Sequence, residues 1–518
     1  MIPKSVIVGL YSKASLAALI ATATFAAQAS AGQIRVLGRP VQSVPDANPV
    51  IISDTIVSPG FALDLQEQGQ DLLENPSGVI ARFGYLSDAI TRTEPDENTY
   101  LILGHNPGGP TTDYDYGRHF LFQGHENGDD LAYITRINLD VSNPDHRVTL
   151  LTPPGADGLT HFNSIDGSSW DPFSQTLLFT QEKGNVGGVI EMSADFDPST
   201  GSGAGLRTLY GSMGQGGYEG IHPDDQGNIL IIEDVGGALF GFAKNPNSFV
   251  YRFIPTNPAD LTRGKLQALQ VTIHGQPVVF VATGDTLSEN QLRLHTPGTT
   301  FPVQWVTVHD TAVDGTDPFD ANALAKAADA TPFKRPENAQ FQPGTRFHTF
   351  YFDITGDTDA NAGNDPELAA RGAWGGIFRV DLDPSRQTGR IGIIVLGDAD
   401  HSSFDNLAFT GSSVLLAAED RGDTLHDQLN KLDSIWAYDV KFPDSPPRFV
   451  ALGQDRMAID EDNEPTGLHF SNGDSSIDGI LGRRVPRPEE GRLFFTQQHG
   501  ENNLFEVVTQ RPDKQTGE

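Results

Sequence analysis

Cysteine is absent from the 518 residues of this sequence. A chain without thiols has no disulfide bond, no cysteine nucleophile, no Cys-ligated zinc site and no iron–sulfur cluster. Its fold must therefore be stabilised by a hydrophobic core, by bound metal ions, or by both.

Basic residues are also scarce, since 35 Lys and Arg face 68 Asp and Glu and give a net charge of −33. Such a surface repels nucleic acid and anionic membranes, so we expect no nucleic-acid partner. Bound divalent cations are one way to relieve the repulsion between these carboxylates. Selection for solubility in a salty medium is the alternative, and charge alone does not separate the two.

Long apolar runs are missing except near the N-terminus, where residues 1–31 have the pattern of a signal peptide. Lys4 and Lys13 precede a run of small and apolar residues over Leu16–Ala27, and Ala29-Ser30-Ala31 matches a small-x-small cleavage site. A membrane anchor is the alternative, but the run is short for a span. Without an Arg-Arg pair in this segment, the general secretion route is favoured. The pattern predicts a bacterial protein exported to the periplasm or the medium, with no membrane span after cleavage.

Glycine and proline are plentiful, at 55 and 34 residues, which indicates a globular chain dense in turns. Along it recurs one unit, a short apolar strand that ends abruptly in acid, amide or histidine. The strands and their polar ends are His119–Gln123 before His125 and Glu126, Thr176–Thr180 before Gln181 and Glu182, Asn228–Ile232 before Glu233 and Asp234, Val278–Thr283 before Asp285, Val414–Ala418 before Glu419 and Asp420, and Arg492–Thr496 before Gln497, Gln498 and His499.

Most of these strands follow a second short strand and a tight turn, which is a hairpin signal. Near-continuous apolar strands indicate burial on both faces, and repeats of roughly 50 residues suit propeller blades better than a sandwich. We therefore predict an all-β protein, with one propeller domain over residues 32–518. Residues 32–80 are less regular and are expected to pack across the propeller or close it. The best helix candidate is Ala321–Ala330, with Asp320 as its cap.

The polar strand ends matter because the innermost strands of a propeller converge on a central channel. Carboxylates crowded there repel one another unless a cation lies between them. A second set of acids opens the preceding strands, at Glu219, Asp405 and Glu464. Hard oxygen ligands in such number suit Ca²⁺, or Fe and Mn with carboxylates, and from these two sets Glu233 and Glu464 are taken as candidate metal ligands. The alternative is that acids follow strands simply because they form turns.

Arg335-Pro336-Glu337 lies between these units. An arginine beside a metal-binding glutamate is what phosphate recognition needs, although a surface ion pair is the alternative. Most of the 14 histidines are expected to be structural; His125 and His499 merit testing, and His125 is a candidate for substrate binding. The loop from Asp357 to Gly363 is similar to a calcium loop, but its glycine is one place late, so we interpret it as a surface acidic loop.

Nine motifs, in order over residues 80–505, resemble the PhoX-type alkaline phosphatase family of six-bladed β-propellers. They are Gly124-His125-Glu126-Asn127, Thr180-Gln181-Glu182, Tyr218-Glu219-Gly220, Ile232-Glu233-Asp234, Arg335-Pro336-Glu337, Ala373-Trp374-Gly375-Gly376-Ile377, Phe404-Asp405-Asn406-Leu407, Glu464-Pro465-Thr466-Gly467 and Gln498-His499-Gly500-Glu501. The resemblance implies a monomeric six-bladed propeller with a central metal-binding pocket for iron and calcium. It implies that Arg335 holds the substrate phosphate and that Glu182, Glu219, Glu337 and Asp405 are metal ligands.

The sequence departs from the family at a few positions. The family's Cys-Glu-Glu run is Gln181-Glu182-Lys183 here, so the thiolate ligand to Fe³⁺ is missing and Ca²⁺ is favoured over Fe³⁺. The asparagine of the family's Asn-His-Glu motif is Gly124, and the twin-arginine signal is absent.

Two hypotheses follow. The first is a secreted metal-dependent phosphoesterase that hydrolyses small phosphate monoesters, with Arg335 as the catalytic residue. The second is a calcium-stabilised propeller without chemistry that binds a ligand or a partner, and Gln181 and Lys183 favour it. Other propeller hydrolases, such as lactonases or phytases, are a further alternative.

Overall fold

A computed structural model of the protein describes residues 33–195, 205–455, 463–488 and 490–510. The predicted signal segment lies outside the described residues. Within them the secondary structure is almost all strand. Four short strands come first, and they are β1 Arg35–Val36, β2 Arg39–Pro40, β3 Ile56–Val57 and β4 Phe61–Glu67.

Two four-stranded antiparallel sheets follow, each with its strands in chain order. The first holds β5 Glu94–Ile102, β6 His119–Glu126, β7 Tyr133–Asn138 and β8 Val148–Leu150, and the second holds β9 Ile165–Asp171, β10 Thr176–Gln181, β11 Gly188–Met192 and β12 Arg207–Thr208.

A ten-stranded sheet and a small hairpin occupy the middle of the chain. Their strands are β13 Tyr218–Pro223, β14 Ile229–Glu233, β15 Leu239–Phe240, β16 Ala243–Lys244, β17 Val250–Asn257, β18 Asp260–Ile273, β19 Gln276–Pro277, β20 Phe301–Asp310, β21 Pro336–Phe341, β22 Thr349–Ile354, β23 Gly376–Leu382 and β24 Thr388–Leu396. The sheet order is β13-β14-β17-β18-β20-β24-β23-β22-β21, with β19 on β18, while β15 and β16 pair only with each other.

Two further sheets complete the chain, and both include a strand from the N-terminal segment. Their strands are β25 Phe404–Phe409, β26 Val414–Glu419, β27 Ser434–Asp439, β28 Arg448–Ala451, β29 Glu464–Ser471, β30 Arg492–Gln498 and β31 Asn503–Thr509. Strand β3 pairs with β28 and β4 pairs with β31, so residues 56–67 supply the outer strands of the last two sheets.

Helices are few and short among the described residues. The α-helices are α1 Glu289–Leu294, α2 Ala321–Ala327, α3 Ala360–Gly363, α4 Pro366–Ala369 and α5 Gly422–Leu429, and the 3₁₀ turns are Pro144–His146, Gly184–Val186, Asp285–Leu287 and Ile477–Gly479. The predicted helix at Ala321–Ala330 forms as α2, three residues shorter, and the Asp320 carboxylate caps it by accepting a hydrogen bond from Ala323 N at 2.9 Å.

One predicted strand is wrong. Val278–Thr283 is not a strand, because only Gln276–Pro277 pairs with β18. The segment then turns outward, and Val281 is 86% exposed. The Asp285 carboxylate accepts hydrogen bonds from Val281 N and Ala282 N, so it closes a local turn.

The first strands of the repeated units form a closed ring. Strands β5, β9, β13, β21, β25 and β29 each contact the next, and β29 contacts β5. Apolar clusters fill the space between adjacent sheets, as where Leu101 and Phe120 of the first sheet pack with Leu177 and Phe179 of the second. The arrangement is propeller-like and nearly all-β. Its hydrogen-bonded sheets do not by themselves define six blades, because β20 joins β18 to β24 in one continuous sheet.

Candidate metal centre

Each strand of the ring carries one β-bulge, at which two of its residues face one residue of the next strand. The two-residue bulges are Asp96-Glu97, Asp166-Gly167, Glu219-Gly220, Glu337-Asn338, Asp405-Asn406 and Gly467-Leu468. A bulge changes the direction of the side chains at its position. In five of the six bulges the first residue is an acid, so the ring brings five carboxylates to one end of the channel.

Three groups of carboxylates have the geometry to hold a metal ion. In each group the oxygens lie within 4.8 Å of one another. Two groups adjoin and share Glu219, and the third lies beside them, because the carboxyl of its Asp166 shares a hydrogen bond with Glu219. The groups are Glu182–Glu219–Asp234, Glu219–Glu337–Asp405 and Asp96–Glu126–Asp166.

Four of the predicted ligands, Glu182, Glu219, Glu337 and Asp405, are brought together in the two adjoining groups. Glu464 lies beside them: its carboxyl shares a hydrogen bond with Asp405. One of its oxygens is 3.4 Å from His499 Nε2, which places His499 at the edge of the same site.

Arg335 lies between the two adjoining groups. Its Nε donates a hydrogen bond to Asp234 Oδ2 at 2.7 Å, and its Nη2 is 3.4 Å from Glu337 Oε1. Burial disfavours its charge, but Asp234 and Glu337 outweigh burial and raise the pKa of Arg335 above its usual value. The site therefore contains a permanently charged guanidinium that contacts one carboxylate from each group.

Two predicted site residues lie elsewhere. The Glu233 carboxylate points into a blade, where it accepts hydrogen bonds from Phe249 N, Tyr251 Oη and Asn322 Nδ2 at 3.0–3.1 Å. Successive side chains point to opposite faces of a strand, and the neighbouring Asp234 is the one that reaches the site.

His125, predicted to bind substrate, is fully buried and does not reach the carboxylate groups. Its Nε2 is 2.8 Å from Thr135 Oγ1, and its ring stacks on Tyr133 with centroids 4.3 Å apart. Burial lowers the pKa of His125 well below its usual value, so the ring is neutral. The next residue, Glu126, contributes to the third carboxylate group instead.

Sequence reasoning did not select Asp96, Asp166, Glu126 or Asp234 as ligands. A usable signal was present for the first two. Asp96 and Asp166 are each the first residue of the bulge in the first strand of their sheet, as Glu219 and Asp405 are in theirs. The rule used for Glu219 and Asp405, an acid near the start of a short apolar strand, selects both when it is applied to β5 and β9.

The carboxylates of the site have raised pKa values. Burial is the largest cause, and it raises the pKa of Glu182 and of Asp405 to about 8 and that of Asp96 to about 6. The pKa values of Glu219 and Glu337 are also raised well above the usual value, by burial and then by neighbouring carboxylates. Without a cation, Glu182 and Asp405 therefore favour the protonated form at neutral pH, and a divalent ion would take the place of those protons.

The donor set fits an ion that prefers oxygen. Asp234 Oδ1 is buried and has no hydrogen-bond partner among the described residues, although Oδ2 of the same carboxylate is held by Arg335. A buried, unpartnered carboxylate oxygen is costly unless a cation contacts it. The chain has no thiolate to offer, and the Gln181 side-chain amide donates a hydrogen bond to Tyr210 Oη at 2.7 Å.

A second layer of polar side chains crosses the channel below the carboxylate groups. Glu97 Oε2 accepts a hydrogen bond from Ser168 N at 2.7 Å, and Oε1 contacts Asn338 Nδ2. Asn338 Oδ1 lies 3.1 Å from His222 Nε2. This layer separates the carboxylates from a cavity at the far end of the channel, which Glu97, Ser168 and His222 also line.

The loop that is similar to a calcium loop lies only partly at the surface, because Asn361 is exposed while its first acid is buried. Asp357 is fully buried, with Oδ2 2.9 Å from Lys334 Nζ and Oδ1 accepting a hydrogen bond from Lys244 N. Asp359 caps α3 by accepting a hydrogen bond from Asn361 N. These carboxylates already have protein partners.

The fold and the site together define an all-β, propeller-like protein with a carboxylate-rich centre at one end of its channel. No helix among the described residues is long and apolar enough to cross a membrane. No protein-family model matches the chain, and no curated protein matches its sequence.

Solved structures do match. Pseudomonas fluorescens PhoX in complex with vanadate, a transition state analogue, is 12% identical; the match covers 90% of this chain and 98% of that one, with a TM-score of 0.55. XC5397 from Xanthomonas campestris, a gluconolactonase, is 10% identical over 91% of this chain and 99% of that one, with a TM-score of 0.36. The likeness to PhoX shows a shared propeller fold.

Proposed function

We propose that the protein is a metal-dependent phosphoesterase that hydrolyses phosphate monoesters. The observation that carries this proposal is the position of Arg335, which contacts Asp234 of one carboxylate group and Glu337 of the adjoining group. A guanidinium between two cation positions is the arrangement that binds a phosphoryl group by its oxygens.

Arg335 is the residue that would bind and orient the phosphate. Its side chain is 19% exposed, and among the described residues Nη1 has no hydrogen-bond partner. The equatorial oxygens of a phosphoryl group gain negative charge during transfer, and a fixed guanidinium stabilises that charge.

The carboxylates supply the metal sites. Ca²⁺ is the ion that the all-oxygen donor set favours, and when bound it would polarise the phosphoryl oxygens. The oxygen of a water molecule forms a bond to phosphorus as the ester P–O bond breaks, giving phosphate and an alcohol. One proton of the water ends on the departing alcohol, so the step is balanced.

The remaining parts of the proposal concern architecture and context. We propose that the ten-stranded sheet is two blades joined through β20, which makes six blades in all, with residues 32–518 as one domain. We propose that the protein acts as an exported monomer in the periplasm or the medium, on a small phosphate ester and without nucleic acid. The closed ring of six inner strands supports the blade number.

Phosphate release from a generic monoester tests the function. The mature protein, purified without chelator, is assayed with Ca²⁺, Mn²⁺ or Fe³⁺, and its metal content is measured. We expect turnover with Ca²⁺ present and loss of turnover on chelation. A folded protein that releases no phosphate with any of these ions overturns the proposal.

One observation favours a second function, a calcium-stabilised propeller that binds a ligand without hydrolysing it. Gln181 is 2% exposed, and its amide is held by Tyr210, so nothing at this position replaces the family's thiolate. In that case chelation lowers the melting temperature, phosphate binds, and no ester is cleaved.

A further inference from the structure

The connection between β14 and β17 carries an extra hairpin beside the site. It starts at Asp234, and its two strands are β15 and β16. Its base is firmly attached: Ala243 packs against Ala362 and Leu368 of α3 and α4, and Lys244 Nζ donates to Thr358 Oγ1 at 3.3 Å. The hairpin is therefore a fixed part of the wall around the carboxylate groups.

The tip of this hairpin is apolar and exposed. Leu239, Phe240 and Phe242 are 63%, 44% and 55% exposed. Beside it lies the turn that carries Val281, which is 86% exposed. The two segments touch, since a Cβ on Gly284 of that turn would be 3.6 Å from the Phe240 ring. We call these four side chains the apolar lip.

The hairpin joins the apolar lip to the charged part of the site. Lys244 follows Phe242 by two residues, and the backbone N of Lys244 donates to Asp357. Its pKa is lowered first by burial and then by Arg335, while Asp234 and Glu337 act in the opposite direction. Contacts hold both ends of the hairpin beside Arg335: Asp234 at its start accepts a hydrogen bond from Arg335, and Asp357, which accepts from Lys244 N, pairs with Lys334, the residue before Arg335. The exposed apolar side chains lie between these two ends and so adjoin the cationic edge that Arg335 and Lys244 form.

From this continuity we infer that the substrates are amphiphilic phosphate monoesters, whose hydrocarbon or aromatic part lies on the apolar lip while the phosphate is at Arg335. The inference rests on the proposed function. An anionic head and an apolar body match the cationic edge and the adjoining apolar side chains. Removing such a chain from water favours binding in proportion to the area covered.

Decyl phosphate, kept below its micelle concentration, and methyl phosphate test this inference. We expect kcat/KM to be at least about tenfold higher for decyl phosphate, through a lower KM. Phe240→Ser/Phe242→Ser should bring the ratio close to one and leave methyl phosphate turnover unchanged. Leu65→Ser/Val313→Ser, at side chains 45% and 80% exposed away from the site, is the matched control and should keep the ratio.

The outcomes separate the inference from the proposed function. If neither ester is hydrolysed, the proposed function fails, and calorimetry with decyl and methyl phosphonate decides the inference: tighter binding of decyl phosphonate, lost in the Phe variant, supports it. A ratio near one in the wild-type protein overturns it. In that case the Phe variant shows what the apolar lip binds instead. Loss of binding to phosphatidylcholine vesicles indicates a membrane surface, and loss of a dimer on gel filtration indicates a second copy of the chain.

Discussion

Arg335 donates a hydrogen bond from Nε to Asp234 Oδ2 at 2.7 Å, and it does so from a left-handed backbone conformation with φ of 51°. That conformation is uncommon for a residue with a side chain and is held only where the surroundings require it. Here it turns the guanidinium back toward the strand end that carries Asp234. The arginine is therefore fixed before any ligand arrives.

Replacing Arg335 tests its role as the phosphate-binding residue. We expect Arg335→Gln to lower kcat/KM for a phosphate monoester by about 100-fold, because one fixed donor to the phosphoryl oxygens is lost. Arg335→Lys should recover part of this, since it restores the charge without the two-pronged geometry. Arg379→Gln, at a half-exposed pair with Asp381, is the control and should leave turnover unchanged. Unchanged turnover in Arg335→Gln contradicts the assignment.

Glu219 belongs to both adjoining carboxylate groups, so its removal should affect both ion positions. In the wild-type protein, Ca²⁺ should raise the melting temperature by an amount that grows with its concentration. We expect Glu219→Gln to lose most of this rise. Glu233→Gln is the matched control: it also removes a buried carboxylate, but one held by Asn322, Tyr251 and Phe249, and it should keep the rise. An equal loss in both variants would show that the effect is structural.

The stability of the ion-free protein should fall as the pH rises. Burial raises the pKa of Glu182 and of Asp405 to about 8 in the folded state, above the values of an unfolded chain. The folded state then binds more protons than the unfolded state, so this contribution is present below about pH 4 and is lost as the pH rises toward 8. We expect the chelated protein to melt at a lower temperature at pH 8.5 than at pH 5.5.

Saturating Ca²⁺ should remove that decline, because the ion replaces the protons and binds more tightly at higher pH. Thermal melts across this range, with and without chelator, measure both trends. A chelated protein whose melting temperature rises between pH 5.5 and 8.5 would falsify the raised carboxylate pKa values.

The sequence predicts that acids gather at the strand ends, but it does not predict which of two neighbouring acids faces the channel or which apolar segments pair as strands. Glu219 and Asp405 are predicted from one local feature, an acid that opens a short apolar strand. Glu233 and Asp234 are consecutive, and which of them faces the channel depends on the pairing register and on the bulge opposite, which the local sequence does not state. Val278–Thr283 is apolar enough for a strand but has no neighbour to pair with, and pairing is a long-range property.

Close packing of the ring at Gly167 gives a further test. A Cβ at this bulge position would be 2.2 Å from Glu219 O and 2.7 Å from Thr180 Oγ1, so a side chain must displace the backbone that carries Glu219. We expect Gly167→Ala to lower the melting temperature and to weaken the stabilisation by Ca²⁺. Gly411→Ala, at a turn where no atom lies within 4 Å of the new Cβ, should change neither. Intact Ca²⁺ stabilisation in Gly167→Ala would show that Glu219 tolerates the shift.

Lys334, the residue directly before Arg335, forms an ion pair with Asp357. Its Nζ is 2.9 Å from Asp357 Oδ2, and both side chains are completely buried. Removing one partner of such a pair leaves an uncompensated charge in the interior, so Lys334→Met should reduce the free energy of unfolding by about 3–5 kcal/mol. Adding Asp357→Asn removes the stranded charge and keeps an oxygen to accept the hydrogen bond from Lys244 N. We therefore expect the double variant to be more stable than Lys334→Met alone, as measured by denaturant unfolding. If the two substitutions are simply additive, the pair contributes no specific coupling to stability.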